Sequence, residues 1–147
     1  MKITYKGDYA LKAVLELALH YGNGDVVTIH DMARQLDIPI KFLEQVLLDL
    51  KRGGYLAARR GKVGGYYLAK SPAAIKVGDI IRHIDGPIEP IACTKKEYSG
   101  CGDMYKCVFR SIWQDVAKAT SNIIDSITFE NLANRILSQS TSVSYQI

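Results

Sequence analysis

Three helical stripes in close succession, followed by a glycine-rich hairpin, constrain the fold more than any other feature of the chain. Residues 5–21 repeat apolar side chains at helical spacing through Ala10, Ala13, Val14, Leu17, Ala18 and Tyr21. Gly22-Asn23-Gly24 ends that helix, because both residue types tolerate a left-handed stop. Thr28 can cap a second helix, and Asp31 three residues on resembles a capping box. Its apolar stripe is Ile29, Met32, Ala33 and Leu36. Pro39 suits the first turn of a third helix, which buries Leu43, Val46, Leu47 and Leu50 and exposes Lys41, Glu44, Gln45, Asp49 and Arg52. After Gly53-Gly54 come two short strands, 55–60 and 65–69, around the turn Gly61-Lys62-Val63-Gly64-Gly65. Helix, short turn, helix and basic hairpin is the order of a winged helix-turn-helix.

Charge supports that reading. The net charge of the chain is +4, but residues 1–76 carry 12 Lys and Arg against 7 Asp and Glu, and residues 77–147 carry 7 against 8. The basic surplus therefore belongs to the first half. Between Lys51 and Lys62 lie Arg52, Arg59 and Arg60 with no acid among them, a local field suited to a polyanion. Lys41, Glu44 and Gln45 stand near the N-terminal end of the third helix, where a recognition helix meets base edges. A Gln side chain matches an adenine edge and a Glu accepts from cytosine N4. Arg59, Arg60 and Lys62 are placed to meet backbone phosphate or enter a minor groove. Each residue alone is equally well explained as ordinary helix or loop surface.

The second half reads differently. Residues 77–84 form a short amphipathic helix, and Gly86-Pro87 and Pro90 break the chain after it. From Val108 a long helix carries Phe109, Ile112, Trp113, Val116, Ile123 and Ile127, a stripe fit for a two-fold seam. A last helix is expected over 129–137 and a loose, serine-rich tail over 138–147. The expected organisation is mainly α with a small β wing. A winged domain occupies 1–76, a cysteine-loop and dimerisation region 77–137, and the tail follows. No stretch of about 18 uninterrupted apolar residues exists, so no membrane span is expected and the cytoplasm is the expected compartment.

All three cysteines fall in one segment with the pattern Cys93-x7-Cys101-x5-Cys107. An odd, clustered set in a reducing compartment argues against a disulfide framework and for metal or redox chemistry. Thiolates on a glycine-containing loop suit an iron–sulfur cluster, and zinc with three thiolates and a histidine fits the residue types too. A zinc-stabilised interaction module without DNA binding is therefore an alternative from another class. A cysteine-nucleophile enzyme would need a nearby base, and residues 93–107 contain no histidine.

Four stretches, MKITYKGDYALKAVLELA, FLEQVLLDLKRGGYL, RRGKVGGYYLAK and VGDIIRHIDGPIEP, together with the cysteine loop, resemble the IscR-type (Rrf family) winged-helix regulators. This family also includes NsrR-like and CymR-like members. The resemblance spans residues 1 to about 137. It implies a homodimeric regulator on palindromic double-stranded DNA, with Cys93, Cys101 and Cys107 as iron ligands. A two-iron two-sulfur cluster is favoured, with a four-iron four-sulfur cluster as the other form. Control of cluster-biogenesis genes is the implied role, with nitric-oxide or redox sensing, or cysteine metabolism, as alternatives inside the family. Two departures stand out. The first cysteine gap is seven residues where the cluster-binding relatives have five, and Arg110 stands where IscR has a histidine ligand. NsrR-like members use an aspartate of the partner subunit, and Asp8 is at the matching place. Asp8 is also well placed simply as an acid in a helix's first turn.

Overall fold

The computed structural model describes residues 1–144. Six helices and one two-stranded sheet follow in the order α1 (Tyr5–Leu19), α2 (Ile29–Leu36), α3 (Ile40–Arg52), β1 (Leu56–Arg59), β2 (Gly65–Leu68), α4 (Val77–Asp85), α5 (Val108–Asp125) and α6 (Phe129–Ser144). The expected mainly helical architecture with a small wing is present.

Local chemistry explains the element ends. The Thr4 side chain accepts the Gly7 N–H at 3.1 Å and starts α1. Thr28 accepts the Asp31 N–H at 3.1 Å and starts α2, as its sequence position predicts. Pro39 sits one step earlier than expected, at the N-cap of α3, where it withholds no N–H from the helix ladder. The strands pair antiparallel with Leu56 opposite Leu68 and Arg59 opposite Gly65. Gly61 turns the wing at φ +110°, a conformation that strains any side chain.

Helix α1 lies at the centre and packs against α4, α3, α6, α2 and β2. Its buried face is Gly7, Ala10, Ala13, Val14, Leu17 and Ala18. Tyr21, expected on that face, lies beyond the helix end and is exposed. Helix α3 buries the four residues its periodicity selects, Leu43, Val46, Leu47 and Leu50. The core crosses the boundary expected at residue 76, because Ile80, Phe129 and Ala133 belong to the same apolar cluster as α1 and α3. Helix α5 ends at Asp125, so Ile127 falls in the connector, where its carbonyl accepts the Val77 N–H at 3.0 Å. The Phe129 N–H donates to Ile75 at 3.0 Å, and Lys76 bridges Thr128, so the start of α6 is pinned to the winged core.

The last helix runs to Ser144, seven residues past the expected end at Leu137. The segment 138–144 is therefore helical rather than a loose tail, and residues 145–147 of that expected tail lie outside the described residues. The cause is visible in the hydroxyls. Ser138, Thr141 and Ser142 donate to the carbonyls four residues back, so they satisfy themselves on the helix instead of competing with it.

Candidate functional site

The first candidate surface is the exposed side of α3 with the wing. Lys41, Glu44 and Gln45 are all exposed in the N-terminal half of the helix. The four buried leucine and valine positions fix that orientation, since the same helix cannot turn without exposing them. Gln45 Nε2 donates weakly to Asp49 Oδ1 at 3.4 Å. Lys6 of α1 pairs with Asp49, and Arg52 lies 3.7 Å from it. The hydrogen bond from Lys6 holds the Asp49 carboxyl below the usual carboxylate range, so the acid on this basic face stays charge-compensated. The His83 ring N–H donates to the Asp49 carbonyl at 2.7 Å and ties the end of α3 to α4.

Arg59, Arg60 and Lys62 are exposed on the wing, and none of them pairs with a carboxylate among the described residues. Their charge is free for an external anion. Sequence reasoning missed Phe42. It stands 63% exposed on α3, beside a groove of about 350 Å³ also lined by Tyr5, Tyr9 and Gln45. The signal was present, because position 42 falls between two buried-stripe turns and an apolar residue there has no core to enter.

The second candidate surface is the cysteine loop. A 3₁₀ turn, Ala92–Thr94, carries Cys93, which is half-buried. Cys101 is exposed in the loop, and Cys107 is exposed at the N-cap of α5. Arg110, in the first turn of α5, donates from Nε to the Cys93 carbonyl at 2.9 Å. The three thiols are free. They fit an iron–sulfur group in kind: three soft donors on one segment, uncommitted to any disulfide, with Cys107 at a helix end that favours an anion. Within the single chain, no three His, Cys, Asp or Glu side chains gather on one point among the described residues.

Asp8 lies in the first turn of α1 and pairs with Lys12 at 2.7 Å, an interaction that raises the Lys12 pKa. It borders an open cleft formed with Lys2, Ile3, Thr4 and Tyr5. Asp8 and the cysteines do not form one cluster inside the chain. Close by, Asp85 of α4 accepts the Thr4 N–H at 3.0 Å, which fixes the start of α1 against the segment leading into the cysteine loop.

Helix α5 supports the loop and is itself unusual. None of its 18 residues is buried. Val108, Phe109, Ile112, Trp113, Val116 and Ile123 are between 38% and 72% exposed. Its far end is fastened to α4 by a two-bond ion pair, Arg82 to Asp125, at 2.7 and 2.8 Å. Gly78 makes room for that pair, because a Cβ there would lie 2.0 Å from Asp125 Oδ1. Among the described residues no helix is long and apolar enough to cross a membrane.

A three-helix core, a two-stranded basic wing and an exposed basic third helix define a transcription regulator of the winged helix-turn-helix class. The family model named Rrf2 and described as an iron-dependent transcriptional regulator matches residues 3–135, and the chain belongs to that family. It is 38% identical over 136 residues to an rrf2-like HTH-type transcriptional regulator of Rhodobacter capsulatus, covering 88% of this chain and 91% of the relative. It is 35% identical over 134 residues to the HTH-type transcriptional regulator IscR of Yersinia pseudotuberculosis, covering 91% of this chain and 80% of IscR. Among solved structures it resembles CymR, the global cysteine regulator of B. subtilis, with a TM-score of 0.77, 34% identity, and coverage of 92% and 98% of the two chains. T. potens IscR matches with a TM-score of 0.71, 32% identity, and coverage of 92% and 88%. These relatives are transcription regulators and not enzymes.

Proposed function

We propose that this chain is a cytoplasmic, homodimeric regulator that binds palindromic duplex DNA and senses through an iron–sulfur cluster held by its cysteine loop. The observation that carries the proposal is the state of α5. An 18-residue helix with no buried residue, tied to its own chain at its two ends, leaves six large apolar side chains exposed that only a partner surface would cover. Pairing with the same helix of a second copy buries that stripe symmetrically and sets two wings at a fixed spacing. Cys107 stands at the start of this helix, so whatever binds the loop acts on the seam.

Cys93, Cys101 and Cys107 would hold the cluster, with Asp8 of the partner subunit as the fourth donor. The bound group would supply a redox-active centre that nitric oxide or oxidants can alter. The chain's own residues do the rest. Arg59, Arg60 and Lys62 neutralise phosphates, while Lys41, Glu44 and Gln45 meet base edges. Loop ordering biases the angle between the wings, which is a two-state element set by a ligand. The IscR-type resemblance implies cluster-assembly genes as the regulated set.

The three free thiols, two of them exposed, favour a second reading, in which they respond to oxidants without iron. One experiment separates the two. Protein purified without oxygen is analysed for iron, sulfide and visible absorption, and its DNA binding is measured before and after metal removal. The proposal expects iron and sulfide with a charge-transfer spectrum that changes in Asp8→Ala, and DNA binding that differs between the two forms. Iron-free protein whose DNA binding answers to thiol oxidation establishes the second reading. Equal DNA binding in all forms ends both.

A further inference from the structure

Arg110 occupies the position where the resemblance leads one to expect a ligand, and its own bonding points to a different task. Its Nε–H donates to the Cys93 carbonyl at 2.9 Å, across 17 residues of sequence. Arg110 is also one helical turn from Cys107. A single side chain therefore joins the first and last cysteines of the loop. No carboxylate pairs with Arg110 among the described residues, so its charge and its other N–H groups are uncompensated. Inside the loop only turn bonds are present, such as Lys106 N–H to Asp103 at 2.9 Å and Lys95 N–H to Ala92 at 3.2 Å. The Ala92–Thr94 turn also packs against α5, and among the described residues the Arg110 bond is the side-chain hydrogen bond that ties this turn to the helix.

We propose that Arg110 is a positioning residue for the cysteine loop: it clasps the loop shut through the Cys93 carbonyl and sets a permanent positive charge near its two ends, Cys93 and Cys107. Guanidinium is suited to both tasks, since it stays protonated and offers five donors in a rigid fork. The clasp works in the empty protein. The charge role rests on the iron–sulfur reading above: a thiolate-ligated cluster carries net negative charge, and a nearby cation favours its reduced form. Arginine here thus replaces a donor with a compensating charge, and leaves the fourth ligand to another residue.

The test has two parts. In iron-free, reduced protein, alkylation of Cys93 and Cys101 is followed by mass spectrometry in wild type, Arg110→Ala, Arg110→Gln and Arg110→Lys. A hydrogen bond from a charged, part-exposed donor is worth about tenfold in loop opening, so Cys93 labelling rises about tenfold in Arg110→Ala while Cys101, already exposed, is unchanged. Arg110→Gln behaves like Arg110→Ala if the folded fraction by circular dichroism matches wild type. Equal Cys93 labelling in wild type and both variants overturns the clasp. In anaerobically reconstituted protein, the reduction potential falls in Arg110→Gln and returns toward wild type in Arg110→Lys, which keeps the charge without the fork. A potential unmoved by Arg110→Gln overturns the charge role. Wild type that takes up no iron ends the cluster reading and the charge role with it, and the labelling experiment still decides the clasp.

Discussion

Replacing Phe129 with alanine tests whether the C-terminal helix is part of the winged core or an appendage. Phe129 is fully buried and the largest of the fully buried side chains. Its backbone is pinned where α6 begins, since its N–H to the Ile75 carbonyl at 3.0 Å is one of the two bonds of the Lys76–Thr128 bridge. The site therefore cannot collapse easily around a cavity. Phe→Ala in a core costs about 3–5 kcal/mol, and a pinned, fully enclosed site belongs in the upper half of that range, about 4 kcal/mol. That is a large share of a total stability of about 5–15 kcal/mol. Urea denaturation at one fixed protomer concentration measures it, since the proposed dimerisation would make apparent stability concentration-dependent. The exposed Asn134 on the same helix is the control, and Asn134→Ala is expected within about 0.5 kcal/mol of wild type. A loss under about 1 kcal/mol in Phe129→Ala, or a separate early transition of α6 with α1 still protected, would refute the single-core argument.

Three further outcomes follow from the same geometry. Alanine at Arg59, Arg60 and Lys62 together should flatten the salt dependence of DNA binding, by about 0.9 in log–log slope for each phosphate no longer neutralised, and an unchanged slope in gel shifts at several salt concentrations removes the wing from the interface. Glutamate at both Ile112 and Trp113, which are 50% and 38% exposed and so replaceable without opening the core, should yield a folded monomer by sedimentation equilibrium; a persisting dimer means α5 is not the seam. The Arg82 hydrogen bonds hold the Asp125 carboxyl below its ordinary range, so this ion pair stabilises the fold above the unfolded value near pH 4, and its contribution disappears as pH falls through the lower folded value. Asp125→Asn should accordingly be less stable at pH 7 and lose less on acidification than wild type, and parallel stability–pH curves for the two would show that the pair carries no linkage.

What could be read from the sequence was local. The α3 stripe and the Thr28 cap each depend on residues within one or two turns, and both stand where the pattern put them. Tyr21 and Ile127 were misplaced because periodicity continues past a helix end that backbone geometry, not hydrophobicity, decides. The ties that hold the candidate site are long-range and left no periodic trace. Thr4 meets Asp85, Lys6 meets Asp49 and Arg82 meets Asp125, each across 40 or more residues. The bridge of Val27 to Tyr66, which joins the approach to α2 with the wing, is of the same kind. The three cysteines were legible as a set through their spacing. Their failure to converge in one chain was not, because spacing does not record the path of the loop.

Helices α5 and α6 look alike as sequences, each an amphipathic stripe interrupted by polar residues, yet they differ in role because of how each begins. Helix α6 starts from a backbone bridge to the core, so Phe129 and Ala133 are carried inward. Helix α5 starts from the cysteine loop, and its first turn reaches the rest of the chain through the Arg110–Cys93 bond. Its other end is fixed by two charge-assisted bonds between Arg82 and Asp125. A bidentate ion pair resists displacement more than a single bond to a carbonyl does. A movement of the loop would therefore be taken up first by the N-terminal half of α5, where Val108, Phe109, Ile112 and Trp113 lie, before the C-terminal end registered on the winged core. Under the proposed function, that asymmetry would let chemistry at the three thiols reach an α5 seam without disturbing the fold that carries the wings.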